Sequence, residues 1–127
     1  MARRYRELRV FQQADALVLL IYPLCNDLRR DYHWALAGQL SRATLSVPTN
    51  IVEGSARNTQ ADYLHFLHIA LGSASEACYL LSVVRRVTRR DVLKLEHQFD
   101  TLIRSLQRLI DATGARDRSN ADGRRLP

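Results

Sequence analysis

Residues 63–84 read YLHFLHIALGSASEACYLLSVV, and the spacing of their apolar side chains decides the fold. Tyr63, Phe66, Ala70, Ser73, Ala77, Leu80 and Val84 recur at steps of three and four. Leu64, Leu67, Leu71, Ala74, Cys78 and Leu81 repeat the pattern one residue on. A period near 3.6 is helical, so the stretch is a long helix with two apolar stripes. Only a narrow polar ridge remains, through Asp62, His65, Gly72, Glu76 and Tyr79. A helix of a monomeric four-helix bundle needs one stripe. The second predicts contact between chains, as does the all-round apolar run Ala16–Ile21 on the first helix.

Working outward, the same periodicity predicts helices over about 10–30, 34–57, 60–86 and 89–112. The first carries Phe11, Ala14, Leu17, Ile21, Cys25 and Leu28; the last carries Val92, Phe99, Leu102, Leu106 and Ile110. The second is rich in small residues. Pro23 and Pro48 fall inside helical patterns and predict bends. Thr59 is placed to cap the third helix, with Asp62 as the acidic member of a capping box. Arg85, Arg86, Arg89 and Arg90 mark its far end, where cations meet the carbonyl end of the helix dipole. Gly114 is expected to end the fourth helix, leaving 113–127 as a basic disordered tail. Strand-like alternation is absent. The expectation is one all-α domain over 1–112, an up-down-up-down four-helix bundle assembling as a ring-like homo-oligomer.

Composition agrees and narrows the class. The chain has 127 residues, 46% apolar and only 7% aromatic, which suits one helical domain and argues against a many-stranded sandwich or barrel. Its net charge of +6 comes from 19 basic and 13 acidic residues; Lys94 is the only lysine, so the basic charge is almost all arginine. The first nine residues carry +3 and the last fifteen +2, leaving a nearly neutral body. Cys25 and Cys78 are isolated on apolar positions, without metal or redox spacing. The run Ala16–Ile21 is far shorter than a bilayer span of about 20 residues. These features predict a cytoplasmic, bacterial-type protein away from membranes.

Catalytic and metal signatures fail on spacing. Glu53, Glu76 and Glu96 are followed three residues later by Ala56, Tyr79 and Phe99, where a di-iron bundle requires histidine. His65 and His68 share a helical face but have no convincing third ligand, so a solvated edge is the simpler reading. There is no phosphate-binding loop, nucleophile elbow or dinucleotide fingerprint. The reading is of a non-enzyme without metal or cofactor. Two carboxylates, Glu53 and Glu76, lie among small or apolar residues. With Arg42, Asn50 and Arg57 they are read as a structural polar seam, in which Asn50 or Arg42 meets Glu76, and Glu53 pairs with Arg57 four residues on. Gly54 and Gly72 would allow close helix approach. Arg3, Arg4, Arg6, Arg9, Arg85, Arg86, Arg89 and Arg90 are the candidates for electrostatic binding to nucleic acid.

Three ordered motifs then stand out: Gln39-Leu40-x-Arg42-Ala43, Val47-Pro48-x-Asn50-Ile51-x-Glu53-Gly54, and Tyr63-x-x-Phe66-Leu67-x-Ile69-Ala70-x-Gly72-Ser73-x-x-Glu76. Over about residues 7–110 the chain resembles the bacterial four helix bundle protein family. That family includes proteins encoded by intervening sequences in 23S ribosomal RNA genes and is related to the accessory variability determinant of diversity-generating retroelements. Ser41 stands where an arginine is frequent and Val52 where an alanine is frequent. The resemblance implies a pentameric ring with no established catalysis. It directs the functional reading to an oligomeric scaffold that binds RNA, or a reverse-transcriptase-like or ribosomal partner. The alternatives are a protein-interaction scaffold without nucleic acid and, third, a small-ligand binder using Glu53 or Glu76.

Overall fold

Arg9–Arg30 forms α1, Trp34–Ser55 α2, Gln60–Thr88 α3 and Leu93–Arg124 α4, preceded by a 3-10 turn at Tyr5–Glu7. The computed structural model describes residues 3–124, and no strand occurs among them. Each helix packs on the next, and α1 closes on α4, so the four make an up-down-up-down bundle. The α2–α3 seam is the most extensive and the α1–α4 seam the sparsest. Side-chain size accounts for this. α2 buries Ala37, Ala43 and Thr44 and α3 buries Ala70, Ala74 and Ala77, small residues that permit close approach, whereas α1 and α4 bury Leu17, Ile21, Phe99 and Leu102. Those larger side chains, all nearly or fully buried, fill the core and each contribute roughly 1.5–3 kcal/mol.

Both apolar stripes of α3 are used within one chain. Leu67, Ala74 and Leu81 are buried, and Tyr63, Ala70, Ala77 and Val84 are buried beside them, because α3 lies between α2 and α4. Part of each stripe is covered by the neighbouring helices, while Leu64, Phe66, Leu71, Cys78 and Leu80 are half-buried. On α1 the surplus does remain: Leu19 is 72% and Leu20 48% exposed. By length and composition α3 is also apolar enough to cross a bilayer, a feature that run length alone did not reveal; its fully buried positions pack on neighbouring helices.

The helix ends follow local chemistry. Thr59 Oγ1 accepts from the Asp62 amide at 3.1 Å, the expected N-cap of α3. At the end of α1, Tyr32 N–H donates to Arg29 O at 3.0 Å and His33 N–H to Leu28 O at 2.8 Å. That pair is a Schellman motif, and Tyr32 takes its left-handed position at φ 66°. Arg89 ends α3 in the same conformation, φ 61°. This turn delays α4 from the expected residue 89 to Leu93. Neither proline breaks its helix: α1 runs through Pro23 and α2 through Pro48.

Gly114 does not stop α4, which continues to Arg124 where a disordered tail was expected. No glycine has positive φ, so Gly114 is an ordinary helical residue at a penalty of about 1 kcal/mol. Thr113 is buried, and Asp117, Asn120 and Ala121 line a cavity of about 360 Å³ with Asn58–Ala61. Beyond Gly114 the helix is mostly exposed, with Asp117 half-buried. The last three residues of the expected tail, including Arg125, lie outside the described residues.

Candidate nucleic-acid interface

The antiparallel topology divides the candidate arginines between opposite ends of the bundle. Arg3, Arg4, Arg6 and Arg9 lie at the end that holds the start of α1, the α2–α3 connection and the end of α4. Arg85, Arg86, Arg89 and Arg90 lie at the other, beside the α1–α2 corner. Helices of 22 residues at about 1.5 Å per residue hold the two sets roughly 33 Å apart. A single basic site does not form.

Within each set the arginines have different work. Arg3 fixes the N-terminal segment: its backbone N–H donates to Ser55 O at 3.3 Å, and its guanidinium donates to Arg57 O at 3.1 Å and to Gln60 Oε1. The same guanidinium lies 4.0 Å from the centroid of the Tyr63 ring. Arg4 pairs loosely with Glu7 at 3.4 Å. Arg6 and Arg9 have no acidic partner among the described residues; Arg6 only approaches the Tyr5 ring, at 5.4 Å. At the far end Arg85 donates two bonds to Glu96, at 2.9 and 3.2 Å, and this hydrogen bonding and charge raise its pKa further. Arg90 pairs with Asp31 and ties the α3–α4 corner to the α1–α2 corner. Arg86 donates to Ser82 O at 3.1 Å and lies 6.0 Å from the Tyr79 ring centroid. Arg89 is exposed. Neither Arg86 nor Arg89 has an acidic partner among the described residues.

The expected polar seam is not assembled. Glu53, Glu76 and Arg42 are exposed, and neither carboxylate makes an ion pair among the described residues. Helix α2 ends at Ser55, so Arg57 is off the helix and the four-residue pairing geometry with Glu53 is lost. Arg57 instead stacks on Phe66 at 4.6 Å. Asn50 turns back on its own helix, donating to Ser46 O at 2.7 Å and Ser46 Oγ at 2.9 Å. The polar link across the α2–α3 seam is a pair of serines: Ser46 Oγ and Ser73 Oγ lie 2.8 Å apart. His65 and His68 are exposed, and no group of three or more metal-ligating side chains gathers among the described residues.

An aromatic corner lies at the α1–α2 connection, outside the candidate residues named from sequence. Tyr32 is 82% and Trp34 61% exposed, and with Leu36, Leu80, Val83 and Val87 they line an open cleft of about 480 Å³. The signal was available: two aromatic residues at a helix boundary, in a chain with few aromatics.

These features define a class: a small up-down helical bundle with arginine-rich ends. The chain belongs to the 23S rRNA-intervening sequence protein family, whose model matches residues 6–112. It is also similar to a Bacteroides thetaiotaomicron structure described as a protein of unknown function from the S23 ribosomal protein family. That likeness has 22% identity and a TM-score of 0.76, covering 80% of this chain and 95% of that one, and it concerns the fold. No curated protein matches the sequence. The association is with 23S rRNA intervening sequences, and the family's function is unknown.

Proposed function

We propose that this protein is a non-catalytic, self-associating scaffold that binds RNA through the two ends of its bundle. The observation that carries the reading is the set of arginines without acidic partners among the described residues: Arg6 and Arg9 at one end, Arg86 and Arg89 at the other. They sit on a nearly neutral body. Such sites attract phosphate with little sequence preference, and binding must weaken steeply with salt, by a log–log slope of about −0.7 per phosphate neutralised on a single strand. The test is a salt titration of a single-stranded RNA with the full chain. No binding at about 50 mM salt, where the electrostatic contribution is strong, would leave the protein-interaction scaffold as the better reading.

Self-association is favoured by the α1 face, where Leu19 and Leu20 stand exposed. The family resemblance supports a ring of five. Sedimentation of the intact protein should give a particle several times the 14.6 kDa chain, and Leu19→Arg should dissociate it while the melting temperature of the single chain is retained. A wild-type monomer overturns the self-association reading.

A further inference from the structure

We propose that the corner formed by Tyr32 and Trp34 is a stacking platform for unpaired bases of single-stranded RNA, with Arg86 and Arg89 meeting the phosphates. The proposal rests on the RNA-binding reading above and gives one end of the bundle a ligand chemistry. The first observation is exposure: two aromatic rings at 82% and 61% stand beside an apolar cleft. The second is strain. Tyr32 occupies a left-handed position, φ 66°, where a bulky side chain is unfavourable and glycine would serve the same Schellman turn. Its ring does not recover this by burial. A bulky residue held in a strained, solvent-facing place points to a task outside the fold.

The third observation selects the occupant. Residues 27–34 and 85–96 contain seven basic and four acidic side chains, a local excess of positive charge. Val83 and Val87 line the cleft, and Arg86 lies between them on α3, with Arg89 two residues beyond Val87. Asp31, immediately before Tyr32, is neutralised by Arg90. An apolar peptide would use the aromatic surface and leave the arginines idle; a single strand uses both, since every base has a face to stack and every nucleotide a phosphate.

Trp34 is the only tryptophan, so its emission reports this corner alone. The experiment compares oligouridine of about ten nucleotides with an abasic ribose-phosphate oligomer of equal length, using the full chain. Oligouridine should quench Trp34 and bind about tenfold more tightly than the abasic oligomer. Trp34→Ala and Tyr32→Gly should each remove most of that preference and leave abasic affinity unchanged. Tyr32→Gly relieves the strain and should melt no lower than the parent, so its loss of preference cannot be ascribed to misfolding. Equal affinity for both oligomers with unquenched Trp34 overturns the platform and leaves the RNA reading standing. Absence of binding to either overturns both. A change of Trp34 emission on diluting the protein alone shows that a second copy covers the corner and also overturns the proposal.

Discussion

At the scale of single residues, space around a side chain matters more than its type. A Cβ added to Gly54 would lie 2.8 Å from Phe66 Cβ and 3.4 Å from Tyr63 O, so α2 and α3 touch there only because the residue is glycine. Nothing lies within 4 Å of a Cβ added to Gly72. The sequence assigned both glycines one role, and the structure separates them. Gly54→Ala should lower stability by about 1–3 kcal/mol through overpacking, whereas Gly72→Ala should raise it by up to about 1 kcal/mol through helix propensity. Thermal or urea unfolding of the two variants reads the opposite signs directly. Glu76→Ala, on which the sequence alone places a loss of about 1–3 kcal/mol from stranding a buried partner, should instead fall within about 0.5 kcal/mol of the parent, since the carboxylate is exposed and unpaired among the described residues.

Among the elements, α1 and α3 carry groups whose burial sets an alkaline limit. Burial pushes the thiols of Cys25 and Cys78 up, opposed by Arg29 at the first and reinforced by Glu96 and Asp100 at the second. Burial also raises the Tyr63 phenol, against the opposing charges of Arg3 and Arg116. In the unfolded chain the thiols ionise near 9.0, while the folded chain retains their protons to higher pH. Protons are then lost preferentially by the unfolded state, so stability is intact below that value and falls as pH rises through the folded values. Melting temperature should therefore hold from about pH 7 to pH 9 and drop by about pH 10. Cys78→Ala should flatten the fall. The elements themselves were largely legible: three of the four helices begin within one residue of the expected positions. Gly114 misled because glycine marks a helix end where the backbone turns left-handed, and at Gly114 it does not.

For the whole molecule, the separation of the arginine sets makes a quantitative statement about RNA binding. Sites roughly 33 Å apart share no partners, so their contributions should add. Replacing Arg6 and Arg9 with alanine, or Arg86 and Arg89, should each reduce the magnitude of the salt slope by about 1.4, and all four together by about 2.8. Point variants are the proper instrument at the N-terminal end, because deleting residues 1–9 would also remove Arg3 and its clasp on the α2–α3 connection. If one pair changes nothing, RNA binds at a single end.

Sequence alone determined the class of this protein: periodic apolar positions, few glycines and short connections permit little besides a four-helix bundle. It also located the Thr59 cap and most of the buried core, because helix geometry converts spacing into faces and those depend only on neighbours along the chain. Tertiary structure decided the rest. Knowing which positions of α3 are covered required knowing that two helices flank it; assigning the arginines to opposite ends of the bundle required the direction of each helix. Dispersing the seam of Glu53, Glu76 and Arg42 to the surface depended on helix rotation within the bundle. These are relations between residues far apart in sequence, and only packing, through the volumes of the side chains that meet, fixes them.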